Sequence, residues 1–381
     1  MSNSVAEFLS KKGIKKFKSG IKTNSGKAVM AAAVLATAFT VSSRLNPAET
    51  QMDMSQPQTT YAITEKGDTL CAYQAVPVDS TAYARLQELV NNATKSDAGR
   101  EILKAVAKQG TVLRLDTAGK NTVGYFNPAD NSICLNKAFK NAELQSCLVH
   151  EGKHSIQNAR LSATANTSAY TFGTNIMASR VKEADAVATQ TKFAFEMAER
   201  GDSSALKALK NLHGNVVSAY AKASMKYGND SNQAMKEAML AWYGDKSYVG
   251  QYDASYVQFS RGCVQQYSAK DLKKCFSKTL NADKVLTAVC CWKGQNYAGT
   301  DGRILQTPQT AYLDVKFYEQ MTSVNSTLTK KTANVRSDTS ADGFYVMKNG
   351  NIADQTYRQM MKNDMSVKMA TLISCQRAPQ R

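Results

Sequence analysis

Histidine is nearly missing from this chain, with three among 381 residues, so two in one short motif are poorly explained by chance. No apolar run approaches the roughly 20 residues that a bilayer core requires, which leaves no comfortable membrane-spanning helix. There is no C-x-x-C, and eight cysteines spread over 381 residues are too sparse for a disulfide-dense scaffold. Proline is scarce at six, and Pro47, Pro57 and Pro77 fall in one polar segment. No internal repeat is present, and the only biased tract is a short alanine-rich run.

What is present is a globular composition, 43% apolar and 21% charged, with a formal charge of +17. Such an excess favours acidic partners without fixing a fold. Part of it is local, because residues 1–50 carry eight basic side chains against Glu7 and Glu49. Nucleic acid is disfavoured as a partner, since the basic stretch has no aromatic interleaving and the later charges form no block. Phe8, Ile14, Phe17 and Ile21 recur at roughly helical spacing among lysines, a pattern that could lie on an anionic membrane surface.

Residues 1–44 read as a basic leader plus a short apolar segment, Ala28 to Val41, of signal-peptide length. The alternative is an alanine-rich helix packed on the protein. The chain is therefore expected to be exported or membrane-associated, with a cytoplasmic location as the alternative. Residues 45–79 read as a linker or pro-segment, 80–200 as the folded core, and 201–381 as a mainly helical C-terminal region. If the chain is exported, Cys263 and Cys275, or one of the vicinal Cys290 and Cys291, could form disulfides; otherwise they are small buried hydrophobes.

Within the core, helices are predicted from Tyr83 and, capped by Ser96 or Asp97, through Ala107, so that two helices precede any strand. Short strands follow at Thr111 to Leu115, Thr122 to Phe126 and Ser132 to Leu135, giving an α+β class with a small sheet. Helices are then expected over Ala142 to Ala159, Ile176 to Glu199, Ala205 to Tyr227, Gln233 to Trp242, Ala311 to Met321 and Gln355 to Ile373.

The chemistry-bearing motif is His150-Glu151-Gly152-Lys153-His154, whose chance occurrence anywhere in such a composition is roughly 1 in 500. Residues four apart share a helix face, so both imidazoles can meet one ion at about 2.0–2.1 Å. A third ligand must come from elsewhere. Glu183 lies 29 residues after His154, in Val181-Lys182-Glu183-Ala184-Asp185-Ala186, where small residues would allow close helix approach. Asp185 is the second candidate, either as a ligand or as an acceptor orienting a histidine's other N–H. His213 is the remaining formal candidate, with a surface or core role preferred.

These motifs, together with Ser96 to Leu103, Gly124 to Pro128 and Ile133 to Asn136, resemble an uncharacterised bacterial family of zinc metallopeptidases with a minimal zincin core, gluzincin-like, in which HExxH is joined by a downstream glutamate. The resemblance covers about residues 80–200. It implies a hydrolase, a metalloprotease with one Zn²⁺ per chain held by His150, His154 and Glu183, Glu151 as general base, and a peptide or protein substrate. The E-x-x-x-D form of some relatives is not met, because position 187 is Val187. Similarity to zincins also places Gly124 to Phe126 or Ile133 to Leu135 on the cleft rim. For the oxyanion, Tyr170 is the candidate donor, and Tyr125 is equally a substrate-stacking or core residue. The competing reading is a catalytically inactive zincin-fold binding protein associated with membrane or envelope. A nucleophilic cysteine would have to be Cys147, one turn before His150.

Overall fold

The structure, a computed structural model, describes residues 59–363 apart from 66–67, 76–79, 118–121, 162–166, 229, 333–342 and 361. The basic leader and its apolar run lie outside the described residues, as does the end of the helix expected over Gln355 to Ile373. Among the described residues, no helix is long and apolar enough to cross a membrane. The class is α+β, with many helices and small sheets.

A hairpin of strands β1 (Thr59–Glu65) and β2 (Asp68–Ala75) precedes the first helix, contrary to the expectation that two helices come before any strand. It lies within 45–79, where polar composition hid it. β2 is held non-locally, pairing in parallel with β3 (Val112–Asp116) through Gln74↔Val112 and Ala75↔Leu113. Between them run helices α1 (Ser80–Ala93) and α2 (Asp97–Lys108). Ser96 caps α2, its hydroxyl accepting from the Gly99 N–H at 2.8 Å. Ala98, Ile102, Leu103 and Val106 form the buried stripe of α2 at the i, i+4 spacing that the sequence shows.

Strands β4 (Gly124–Asn127) and β5 (Ser132–Asn136) complete a five-stranded sheet of order β1-β2-β3-β5-β4. β5 runs parallel to β3 and antiparallel to β4, which leaves β4 on the edge. Helix α3 (Asn141–Arg160) carries the histidine motif and is buried on most of its circumference from Leu144 to Gln157. Gly152 explains one contact: a Cβ there would stand 2.4 Å from Ile102 Cγ2, so glycine lets α2 and α3 close together.

Helix α4 (Phe172–Glu199) begins just before Gly173, where a break was expected instead. The stretch Ala205 to Tyr227 is two helices, α5 (Ser204–Leu212) and α6 (Gly214–Lys226), parted at His213 with φ −129 and ψ 50. The following glycine, a poor helix former, marks the break. α7 (Ser231–Trp242) matches its expected position, whereas α8 (Lys246–Gln266) was not anticipated. Further on come the helices α9 (Ala269–Leu272) and α10 (Ala282–Val289) and the two-residue strands β6 (Cys291–Trp292) and β7 (Gln295–Asn296). The helix expected from Ala311 starts later: Tyr312–Asp314 is strand β8, then α11 runs Val315–Thr332. Strands β9 (Tyr345–Lys348) and β10 (Asn351–Thr356) complete a three-stranded sheet with β8, so the start of the last expected helix is also strand. In both places sheet pairing overrides the local helical pattern.

The chain divides into two compact units. The first comprises the described residues up to 166, Ala178–Ser255 and Asp283–Asp301; the second comprises Thr167–Met177, Tyr256–Ala282 and the described residues from Gly302. In the first unit a buried bidentate pair joins α4 to α8, with Arg180 Nε and Nη2 donating to Asp253 Oδ1 and Oδ2 at 2.9 and 2.6 Å. In the second, Phe172 and Phe344 pack together and Lys331 donates to the Val264 carbonyl at 2.8 Å.

Candidate metal centre

Helix α3 sets His150 and His154 one turn apart on a single face, and their Nε2 atoms approach to 3.1 Å. α4 brings Glu183 against both: Oε2 lies 3.5 Å from His150 Nε2 and Oε1 lies 3.3 Å from His154 Nε2. Ala184, Ala186 and Ala188 on α4 are fully buried, consistent with a helix that packs closely by small side chains. The three groups offer ligand atoms within 4.8 Å of one another.

The outer ring nitrogens decide what the inner ones can do. His154 Nδ1 meets Gln157 Oε1 at 2.8 Å. The Gln157 amide is oriented by its other end, since Nε2 donates to the Lys182 carbonyl at 2.9 Å and to Asp185 Oδ2 at 2.6 Å. An amide oxygen only accepts, so the Nδ1 it faces carries the hydrogen and Nε2 keeps a free lone pair. His150 is treated similarly: Nδ1 meets Gln190 Oε1 at 3.2 Å, while Gln190 Nε2 donates to Ser146 Oγ at 2.8 Å.

Two imidazole lone pairs and a carboxylate thus converge in a site from which water is largely excluded. Glu183 Oε2 has no hydrogen-bond partner, an orphaned buried acceptor that costs about 1–3 kcal/mol unless a cation or proton answers it. The donor set therefore fits a borderline divalent ion. In the metal-free chain a proton takes that place. Burial disfavours the charged His154 imidazole, but the Glu183 carboxylate beside it and the Gln157 hydrogen bond hold it up at about 9. Glu183 in turn is opposed by burial yet held well below the usual carboxylate range by His154 and His150.

Glu151, also buried, does not join this trio. Its Oε2 accepts from the Phe126 N–H of edge strand β4 at 2.9 Å, and its Oε1 lies 3.9 Å from Cys147 Sγ. The alternation of β4 explains this. Asn136 N–H reaches back to the Val123 carbonyl, so Gly124 and Phe126 turn their backbone groups away from β5 and toward the site. Gly124 is needed for the approach, because a Cβ there would come within 2.8 Å of Cys147 Sγ and of the Cys134 carbonyl. Of the two strands expected at the site, β4 supplies the contact, whereas Ile133 to Leu135 is buried between neighbours.

Asp185 is not among the three clustered ligand groups; its Oδ2 accepts from Gln157 Nε2 at 2.6 Å. Tyr125 lies opposite Cys134 across the strand pair, on the sheet face away from Gly124 and α3, and burial with the neighbouring Cys134 pushes its phenol up to about 12. Tyr170 belongs to the second unit, where it bridges to Lys278 and is 6% exposed. His213 is a core residue, its ring edge-on to Tyr248 at 4.6 Å. Burial, then the nearby His150, push it down to about 3, so it is neutral. Burial and then Glu151 hold the Cys147 thiol well above its ordinary value, which removes it as a nucleophile. Cys263 and Cys275 are both buried free thiols.

Gln157 and Gln190 escaped the sequence reading. Each was signalled by helical spacing, Gln157 three residues beyond His154 and Gln190 seven beyond Glu183. Position 187, where the E-x-x-x-D form would carry an aspartate, holds a fully buried valine.

The geometry defines a class, an α+β unit in which two helix-borne histidines and a glutamate can hold a metal ion, with a second glutamate on the same helix turn. Residues 63–298 match the family described as "Putative metallopeptidase family (DUF6782)", and the chain belongs to that family. No curated protein and no solved structure matches it.

Proposed function

We propose that the chain is a zinc-dependent peptidase with a gluzincin-like centre, in which His150, His154 and Glu183 hold the ion and Glu151 is the general base. The observation that carries this reading is the convergence of both histidine Nε2 atoms on the Glu183 carboxylate, His150 at Oε2 and His154 at Oε1, with Oε2 left without a hydrogen-bond partner. Two imidazoles and one carboxylate make up a three-ligand set of the catalytic kind, whereas a structural zinc normally has four protein ligands. When bound, such an ion lowers the pKa of a water in its open position and polarises the scissile carbonyl.

The protein's own contribution is placement of charge and protons. The Phe126 N–H fixes Oε2 of Glu151, and this oriented carboxylate is the group that takes a proton from the attacking water and returns it to the leaving amine. The strand that orients Glu151 is also a sheet edge. Its outward backbone groups suit an extended main chain, which favours a peptide or protein substrate.

Elemental analysis of the full chain tests the reading. About one zinc per chain, lost in His154→Ala and Glu183→Ala and kept in Glu151→Ala, is the expected result, with peptide cleavage abolished in the last. Zinc retained by both ligand variants, or no zinc after reconstitution, would overturn it. Metal binding without cleavage of any peptide library, in wild type and Glu151→Ala alike, would favour the inactive binding protein.

A further inference from the structure

Asp185 is fully buried and surrounded by three donors: Gln157 Nε2 at 2.6 Å, Tyr297 OH at 2.7 Å and Lys153 Nζ at 3.2 Å. Lys153, itself 1% exposed, also donates to the Cys291 carbonyl at 2.9 Å. Lys153 directly precedes His154, whereas Cys291 opens the β6-β7 hairpin and Tyr297 follows it, more than 130 residues downstream of Lys153. A buried lysine–carboxylate pair is costly to desolvate and is weak evidence for stability by itself. Its position here points to another use.

We infer that Tyr297, Lys153 and Asp185 form a positioning device that sets the tautomer of His154 through Gln157, so that the hairpin 291–297 belongs to the metal centre. The inference rests on the proposed metal-binding role of His154. A carboxylate accepts only, so Asp185 forces the Gln157 NH₂ toward itself and the amide oxygen toward His154 Nδ1. Lys153 balances the charge of Asp185, and Tyr297 fills its second oxygen, which holds the carboxylate in place. If Gln157 turned over, its NH₂ would face Nδ1 and favour the tautomer with hydrogen on Nε2, so that Nε2, the nitrogen facing Glu183, could not bind a metal. The family match ends at Ala298, one residue beyond Tyr297, so it takes in the whole device.

The test uses the full chain with Zn²⁺ affinity measured by chelator competition and with the absorption spectrum of the Co²⁺-loaded protein. Asp185→Asn should weaken Zn²⁺ binding about tenfold or more, and Tyr297→Phe by a smaller factor, each shifting the Co²⁺ bands. Tyr297→Phe removes one hydroxyl and keeps the ring, so it serves where Asp185→Asn, which strands Lys153, fails to fold. In a Gln157→Leu background Tyr297→Phe should add nothing further, because its effect passes through that amide. A Tyr297→Phe protein with lowered thermal stability but unchanged Zn²⁺ affinity and Co²⁺ spectrum would overturn the inference, as would an undiminished effect in Gln157→Leu. A wild-type chain that takes up neither metal would overturn the underlying peptidase reading instead.

Discussion

The two histidines of α3 are held by the same chemical device at very different cost. His150 leans on Gln190, which leans on the neutral hydroxyl of Ser146, a relay that runs between α3 and α4. His154 leans on Gln157, which leans on a buried ion pair and, through it, on a hairpin far along the sequence. An amide is oriented weakly by a hydroxyl, which can donate or accept, and firmly by a carboxylate, which only accepts. The comparison teaches that His150 is fixed by local packing and His154 by an electrostatic network.

The largest effect that could break this comparison is removal of a ligand. His150→Ala and His154→Ala should each abolish zinc binding in elemental analysis, and equal loss is expected despite the unequal support. Next, Glu151→Gln should retain the metal while lowering peptide hydrolysis by about 10²–10⁴-fold, because it removes proton transfer and leaves the ligands intact. Titration of metal content alongside kcat separates the two. The contrast itself is sharpened by Asp185→Asn against Ser146→Ala. The first should cost about 10–100-fold in zinc affinity, and the second clearly less, read by chelator competition. Equal losses would show the two supports to be equivalent.

Smaller effects concern packing and protons. Gly152→Ala drives a Cβ into Ile102 and should destabilise the fold by about 1–3 kcal/mol, measured by denaturant midpoint, more than any effect on zinc affinity. In the metal-free chain, His154 is held at about 9 against an ordinary value of 6.5. The folded state binds that proton more tightly, so the stabilisation is complete below about 6.5 and is lost as pH rises through about 9. Glu183 is depressed, so its stabilisation is present above its ordinary value of 4.5 and fades on acidification. His213, depressed to about 3 from 6.5, works against folding as pH falls below 6.5. Thermal melts of metal-free protein should therefore be highest near pH 6.5, and the alkaline decline should vanish in His154→Ala.

Much of the candidate centre was legible because the residues able to ligate a metal obey helical spacing. His150 and His154 are one turn apart, Glu183 sits among alanines, and the capping serine of α2 and the alternation of β4 are read from a few neighbouring residues. Even Gln157 and Gln190 carried a spacing signal. The hairpin at Thr59–Ala75, the strand at Tyr312–Asp314 and the break at His213 were not legible, since each depends on a partner strand or a local competition that composition does not display.

By itself the sequence determined the α+β class, the helix bearing the motif and the residues able to ligate a metal, because these follow from periodicity and side-chain chemistry within short windows. Only the tertiary structure decided that β4 rather than β5 meets Glu151, that Val187 is core while Gln190 faces His150, and that Lys153, Asp185 and Tyr297 share one buried network. Those are matters of which distant groups exclude water from one another, and buried hydrogen-bonding groups must find partners wherever the fold supplies them.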